Sequence, residues 1–161
     1  MKNAFNAKEK VVYVDEVVFT KATIPTHDYA LKYSNQTVDE KDFYSKYIAV
    51  IAAIAADTGV ETILIFDKAV NKFDFIEFLK HLRGINGDRK LHCFIDNMKA
   101  HKGPEVIQEF ERLNIIPIWN VPYRYDLQPI ELVFSQVKRI YRKAKLSAFI
   151  NEKLFDYKTE I

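Results

Sequence analysis

The apolar run from Ile48 to Ala56 constrains this chain most. It halts at Asp57-Thr58-Gly59, and a second apolar run, Val60 to Phe66, resumes at once. Two runs of strand length joined by a short loop containing Asp and Gly predict a β-hairpin. The alanines of the first run also leave a buried helix open there. At nine residues that run is far short of the roughly 20 a membrane-spanning helix needs. No membrane partner is expected.

The rest of the chain is arranged around that hairpin. Val11 to Thr20 is β-branched and aromatic and predicts a strand before it. Residues 25–47 are tyrosine-rich and polar, an irregular excursion with room for one short strand. After the hairpin, Asn71 with Asp74 predicts a capped helix. Its stripe is Phe75, Ile76, Leu79 and Leu82, and Gly84 is its stop. Leu91 to Ile95 predicts a strand. Gly103-Pro104 opens a helix with the stripe Val106, Ile107, Phe110 and Leu113. Ile115 to Trp119 predicts the last strand. Pro129 opens the clearest helix, where Ile130, Val133, Phe134, Val137, Ile140 and Tyr141 step by three and four.

That succession, a meander followed by strand–helix units, implies an α/β fold. Its sheet is mixed and five-stranded, antiparallel first and parallel later, flanked by helices. A length of 161 residues suits one domain. The expected division is a frayed stretch 1–10, a domain over 11–146 and a tail or helix over 147–161. Cys93 is the single cysteine, which excludes an internal disulfide framework and a multi-cysteine zinc site. No basic-then-apolar segment opens the chain, so it is expected to be intracellular rather than secreted. The net charge of +2 makes no bulk case for nucleic acid.

Three carboxylates stand where carboxylates are costly. Asp15 lies inside an otherwise apolar strand, where an unpaired charge needs a cation partner. Asp96 ends the fourth predicted strand, and sites in open α/β sheets gather at such ends. Glu131 opens the last helix, off its apolar stripe and in a row with Ser135, Lys138 and Arg142. Taken singly, each has an ordinary explanation: a salt bridge, a turn, or a favourable place at a helix N-terminus. Taken together, they fall where a central strand, its neighbour and a covering helix would converge. Oxygen-only ligation suits Mg²⁺ or Mn²⁺. Two such ions about 3.5–4 Å apart clamp the attacking and leaving oxygens of a phosphoryl displacement.

These residues carry a resemblance. Phe94-Ile95-Asp96-Asn97-Met98-Lys99-Ala100-His101 resembles the Asp-Asn-x-x-x-His motif of mariner-superfamily DDE transposases. Val121 to Glu131 resembles their Pro-Tyr-Ser-Pro-Asp-Leu-Asn-Pro-Ile-Glu segment, and Val14-Asp15-Glu16 is similar to their first-aspartate strand. Thirty-four residues separate Asp96 from Glu131, a spacing known in that superfamily. The sequence departs from the pattern at Arg124-Tyr125 and at Gln128, and residues 25–47 contain no tryptophan.

The resemblance implies a ribonuclease H-like DDE catalytic domain. Asp15, Asp96 and Glu131 would be its metal-binding catalytic triad, using two Mg²⁺ or Mn²⁺ ions. Glu16, Asn97 and His101 would support the motif, His101 by positioning DNA or by hydrogen-bonding the loop after Asp96. The implied activity is cleavage of DNA at transposon ends followed by strand transfer to a target. Lys138, Arg139, Arg142 and Lys143, with Arg124, are the candidate phosphate contacts. The other reading of the basic run is a solvated helix face. The expected partners are DNA and, by family habit, a second copy of the chain. A separate DNA-binding module is also expected, because at this length no N-terminal one is. Location with DNA follows, in the nucleus for a eukaryote. Two alternatives are a catalytically inactive domesticated binding domain and another ribonuclease H-like nuclease.

Overall fold

A computed structural model describes residues 9–20, 23, 47–121 and 127–150, the last five as backbone alone. Three strands come first: β1 (Glu9–Phe19), β2 (Ile48–Ala55) and β3 (Gly59–Phe66). Helix α1 (Lys72–Asn86), β4 (Lys90–Ile95), a 3-10 turn (Lys99–Lys102), α2 (Pro104–Arg112), β5 (Ile115–Trp119) and α3 (Ile130–Ile150) follow. The strands form one sheet in the order β3-β2-β1-β4-β5. β1 pairs antiparallel with β2, and β2 with β3. β1 pairs parallel with β4, and β4 with β5. The meander and the parallel half therefore meet at β1, the central strand. The alanine-rich run is a strand, not a helix: its residues are buried on both faces of the sheet, which suits small and β-branched side chains.

Alternation along β1 splits the core in two. Val12 and Val14 join Ile51, Phe75, Phe78, Leu79, Leu82, Leu91, Cys93, Val106 and Phe110 on the face covered by α1 and α2. Val17 and Phe19 join Ile48, Val50, Ile130, Phe134 and Tyr141 under α3. Burying a side chain such as Phe78 stabilises the fold by about 1.5–3 kcal/mol. Trp119 packs against the first cluster, edge-on to Phe110.

Helix α1 begins as the sequence indicates. Asn71 Oδ1 accepts from the amides of Phe73 (2.8 Å) and Asp74 (3.2 Å), while Asp74 accepts from the Asn71 amide. Its end differs from the expectation. Gly84 lies inside the helix, which runs on to Asn86 and ends at Gly87. Gly87 has φ +55°, the left-handed conformation glycine tolerates. Gly84 remains helical because Leu82 and Asn86 on either side are both buried.

At the N-terminus, Glu9 and Lys10 already belong to β1. Helix α3 runs unbroken through residues 146 and 147 to Ile150. All of the excursion over 25–47 except Tyr47, residues 1–8 and the tail beyond 150 lie outside the described residues. So does the segment 122–126, with Arg124 in it.

Candidate active site

The parallel pairing of β1 with β4 places the first two carboxylates. The last paired residues are Tyr13 and Phe94, whose rings lie 5.5 Å apart. Two residues further along each strand, the same register sets Asp15 beside Asp96. Tyr13 packs on the α3 side of the sheet, and a period of two returns Asp15 to that side. Glu131 opens the covering helix, next to the buried Ile130. Sheet order and helix placement thus bring three residues distant in sequence toward the carboxyl end of β4, beside the middle of β1.

Gln128 sets the approach of α3. Its buried side-chain amide donates to the Val14 carbonyl at 3.2 Å, and the Gln128 backbone carbonyl accepts from the Glu131 amide at 3.1 Å. β1 continues past its last pairing with β4 at this point. The Gln128 amide therefore serves a carbonyl at the edge of the ladder and ties the Asp15 strand to the Glu131 helix. In the sequence Gln128 stands out only as a departure from the family pattern. Its contact, 114 residues away in the chain, had no local signal.

The electrostatics of the three positions differ. Burial pushes the Asp15 carboxyl up to about 6, and the nearby charges of Glu131, Asp96 and Glu16 add to the rise, against a 2.7 Å hydrogen bond from the Glu16 amide. Burial would raise Asp96 too. Instead the His101 ring and the Met98 amide, both on Oδ1 at 2.8 and 3.1 Å, hold it below its ordinary value. His101 is 3% exposed. Its Nε2 meets Glu16 Oε1 at 3.1 Å. Burial alone would lower its pKa, but the bonds to Asp96 and Glu16 raise it to about 9.

Asn97 donates to the Asn120 carbonyl and accepts from Lys102, whose ammonium lies 4.9 Å over the Trp119 ring. The Asn120 amide closes on the Ile95 carbonyl at 2.8 Å. The exits of β4 and β5 are thus laced together behind Asp96.

The cationic residues of α3 are placed unequally. Arg139 and Lys143 are exposed and Lys138 is half-buried. Arg142 spends Nε on the Thr23 carbonyl at 2.6 Å.

Among the described residues, no three His, Cys, Asp or Glu side chains stand close enough to hold a metal ion as they are. The donor chemistry nonetheless suits a hard divalent cation. Asp15 feels the charges of both Asp96 and Glu131, and a cation among three carboxylates relieves that repulsion. No helix among the described residues is long and apolar enough to cross a membrane.

Known proteins resemble this chain in fold. The Mos1 transposase in its paired-end complex with the left transposon end aligns at TM-score 0.64 and 16% identity, over 86% of this chain and 43% of that one. The catalytic domain of Mos1 mariner transposase aligns at TM-score 0.63 and 15% identity, over 98% and 68%. A subunit of a simian T-cell lymphotropic virus intasome aligns at TM-score 0.63 and 16% identity, over 94% and 45%. The chain thus spans less than half the length of the Mos1 transposase in that complex. No curated protein matches it by sequence. The sequence model of the DDE superfamily endonucleases matches residues 10–152. On that match, the chain belongs to the DDE superfamily endonucleases.

Proposed function

We propose that this chain is the catalytic part of a mariner-type transposase, cleaving DNA at transposon ends and joining the freed 3′-hydroxyl to a target. The observation that carries the reading is the placement of the Asp15 carboxyl, half-buried in the central strand and set against the charges of Glu131 and Asp96. A fold under no demand to gather carboxylates would gain by separating them.

In this reading Asp15, Asp96 and Glu131 hold two Mg²⁺ or Mn²⁺ ions, which when bound activate the attacking oxygen and neutralise the leaving one. Above about pH 6 Asp15 is a carboxylate, at an electrostatic cost that a bound cation would relieve. Asp96 is already held as a carboxylate by His101 and Met98. Arg139 and Lys143 contact backbone phosphates, with Lys138 beside them, and give salt-sensitive, sequence-independent affinity. Sequence recognition at the transposon end falls to a separate DNA-binding module, and the working assembly is a homodimer located with DNA in the cell.

The test is nicking of supercoiled plasmid by the purified chain in Mn²⁺. Asp96→Asn and Asp15→Asn are each expected to lower the rate by at least about 100-fold. A variant that nicks at the wild-type rate removes its residue from the site. Titration calorimetry with Mn²⁺ separates the enzyme from a binding-only relative, which would take up no ion at this position.

A further inference from the structure

The notable feature behind the proposed metal site is a histidine with a carboxylate on each ring nitrogen. Glu16 follows Asp15 on β1 and so points to the opposite side of the sheet, toward the core beneath α1 and α2. His101 lies in the 3-10 turn after β4, buried, with its ring 4.4 Å from that of Phe75. From there Nδ1 reaches Asp96 Oδ1 at 2.8 Å and Nε2 reaches Glu16 Oε1 at 3.1 Å. Ionised carboxylates only accept, so both ring nitrogens donate and neither keeps a lone pair for a metal. At 3% exposure the ring is also too enclosed to touch DNA.

The Met98 amide adds a second donor to Asp96 Oδ1. Among the described residues nothing donates to Oδ2. One carboxylate oxygen is therefore fixed by the protein and the other is left open. Glu16, 85 residues from His101, belongs to the strand that carries Asp15, and one imidazole joins it to the loop that carries Asp96.

We infer that Glu16 and His101 are positioning residues: the Glu16–His101–Asp96 bridge fixes the Asp96 carboxylate so that Oδ2 alone is presented to a cation, and sets its spacing from Asp15. This inference rests on the metal-binding reading above. Partners that orient a metal ligand from behind commonly matter about 10–100-fold in metal affinity.

The experiment measures Mn²⁺ affinity of the full chain by calorimetry, with melting temperature recorded for each variant. Glu16→Ala is expected to weaken Mn²⁺ by about 10-fold or more and His101→Ala by at least as much. Glu16→Gln keeps an oxygen that accepts from Nε2, and should stay within about 3-fold of wild type. If Glu16→Ala does not fold, Glu16→Val, which suits a strand, takes its place. Wild-type affinity in Glu16→Ala overturns the proposal. A loss in Glu16→Gln equal to that in Glu16→Ala also overturns it, because Glu16 would then act by its charge.

A second readout needs no metal. The Nε2 proton of His101, bonded to Glu16, should appear downfield in the proton NMR spectrum. It should vanish in His101→Ala and Glu16→Ala and persist in Glu16→Gln. If the wild-type chain binds no Mn²⁺ but shows this proton, the metal reading fails and the bridge stands. If the proton is missing from the wild type, the bridge itself is wrong.

Discussion

Asp15 on β1 and Asp96 just past the end of the neighbouring β4 stand close together, and the protein treats their carboxyls in opposite ways. Asp96 has His101 and Met98 on one oxygen and is held below its ordinary pKa. Asp15 is more enclosed, receives the Glu16 amide, and is pushed up to about 6 by burial and by neighbouring negative charge. One half of the site is braced by protein. The other half is under tension that a cation would release. In the proposed metal site, Asp96 would fix the position of a cation and Asp15 would gain by its binding.

Four substitutions probe this contrast, measured by urea unfolding at pH 7.5 without metal. Phe75→Ala removes the ring beneath His101 and a core contact with Phe78 and Phe110. It should cost about 3–5 kcal/mol and loosen the Asp96 side only. Gln128→Ala strips the Val14 carbonyl of its buried donor and should cost about 1–3 kcal/mol. Freed from α3, Asp15 should then titrate below about 6, as followed by carbon NMR. An unchanged Asp15 titration would show that Gln128 does not set the distance to Glu131.

Asp96→Asn takes one of its two charged partners from His101, leaving Glu16, and should cost about 1–2 kcal/mol. Asp15→Asn should act with the opposite sign. A folded-state pKa of about 6 against an unfolded value near 3.9 means that ionising Asp15 opposes folding. That cost is absent below the unfolded value, grows between the two, and is complete above about pH 6. Asp15→Asn should therefore stabilise the metal-free protein by about 1–2 kcal/mol at pH 7.5, after allowance for partial solvent screening. The gain should disappear below about pH 4. If Asp15→Asn destabilises at pH 7.5, the two carboxylates are not opposed as described.

Much of the architecture was legible in the residues. Hydrophobic runs located all five described strands, and the Asn71–Asp74 box and Pro104 located two helix starts. Gly84 misled because a glycine inside a helix and a glycine ending one look alike locally. Burial of Asn86 and the left-handed conformation at Gly87 decided between them. Ile140, assigned to the apolar stripe of α3, is 54% exposed, since the helix covers the sheet with a narrower face than its periodicity offered. The triad candidates were visible as carboxylates out of place, and their family pattern made them specific.

What the sequence determined by itself was the order of elements and the three carboxylates, because both are encoded by neighbours a few residues apart. Tertiary structure alone decided that Glu16 and Asp96 share His101, and that Gln128 serves the Val14 carbonyl. Those contacts depend on which strands pair and in what register. A strand's alternation specifies the face a side chain takes, but not the distant residue it meets there.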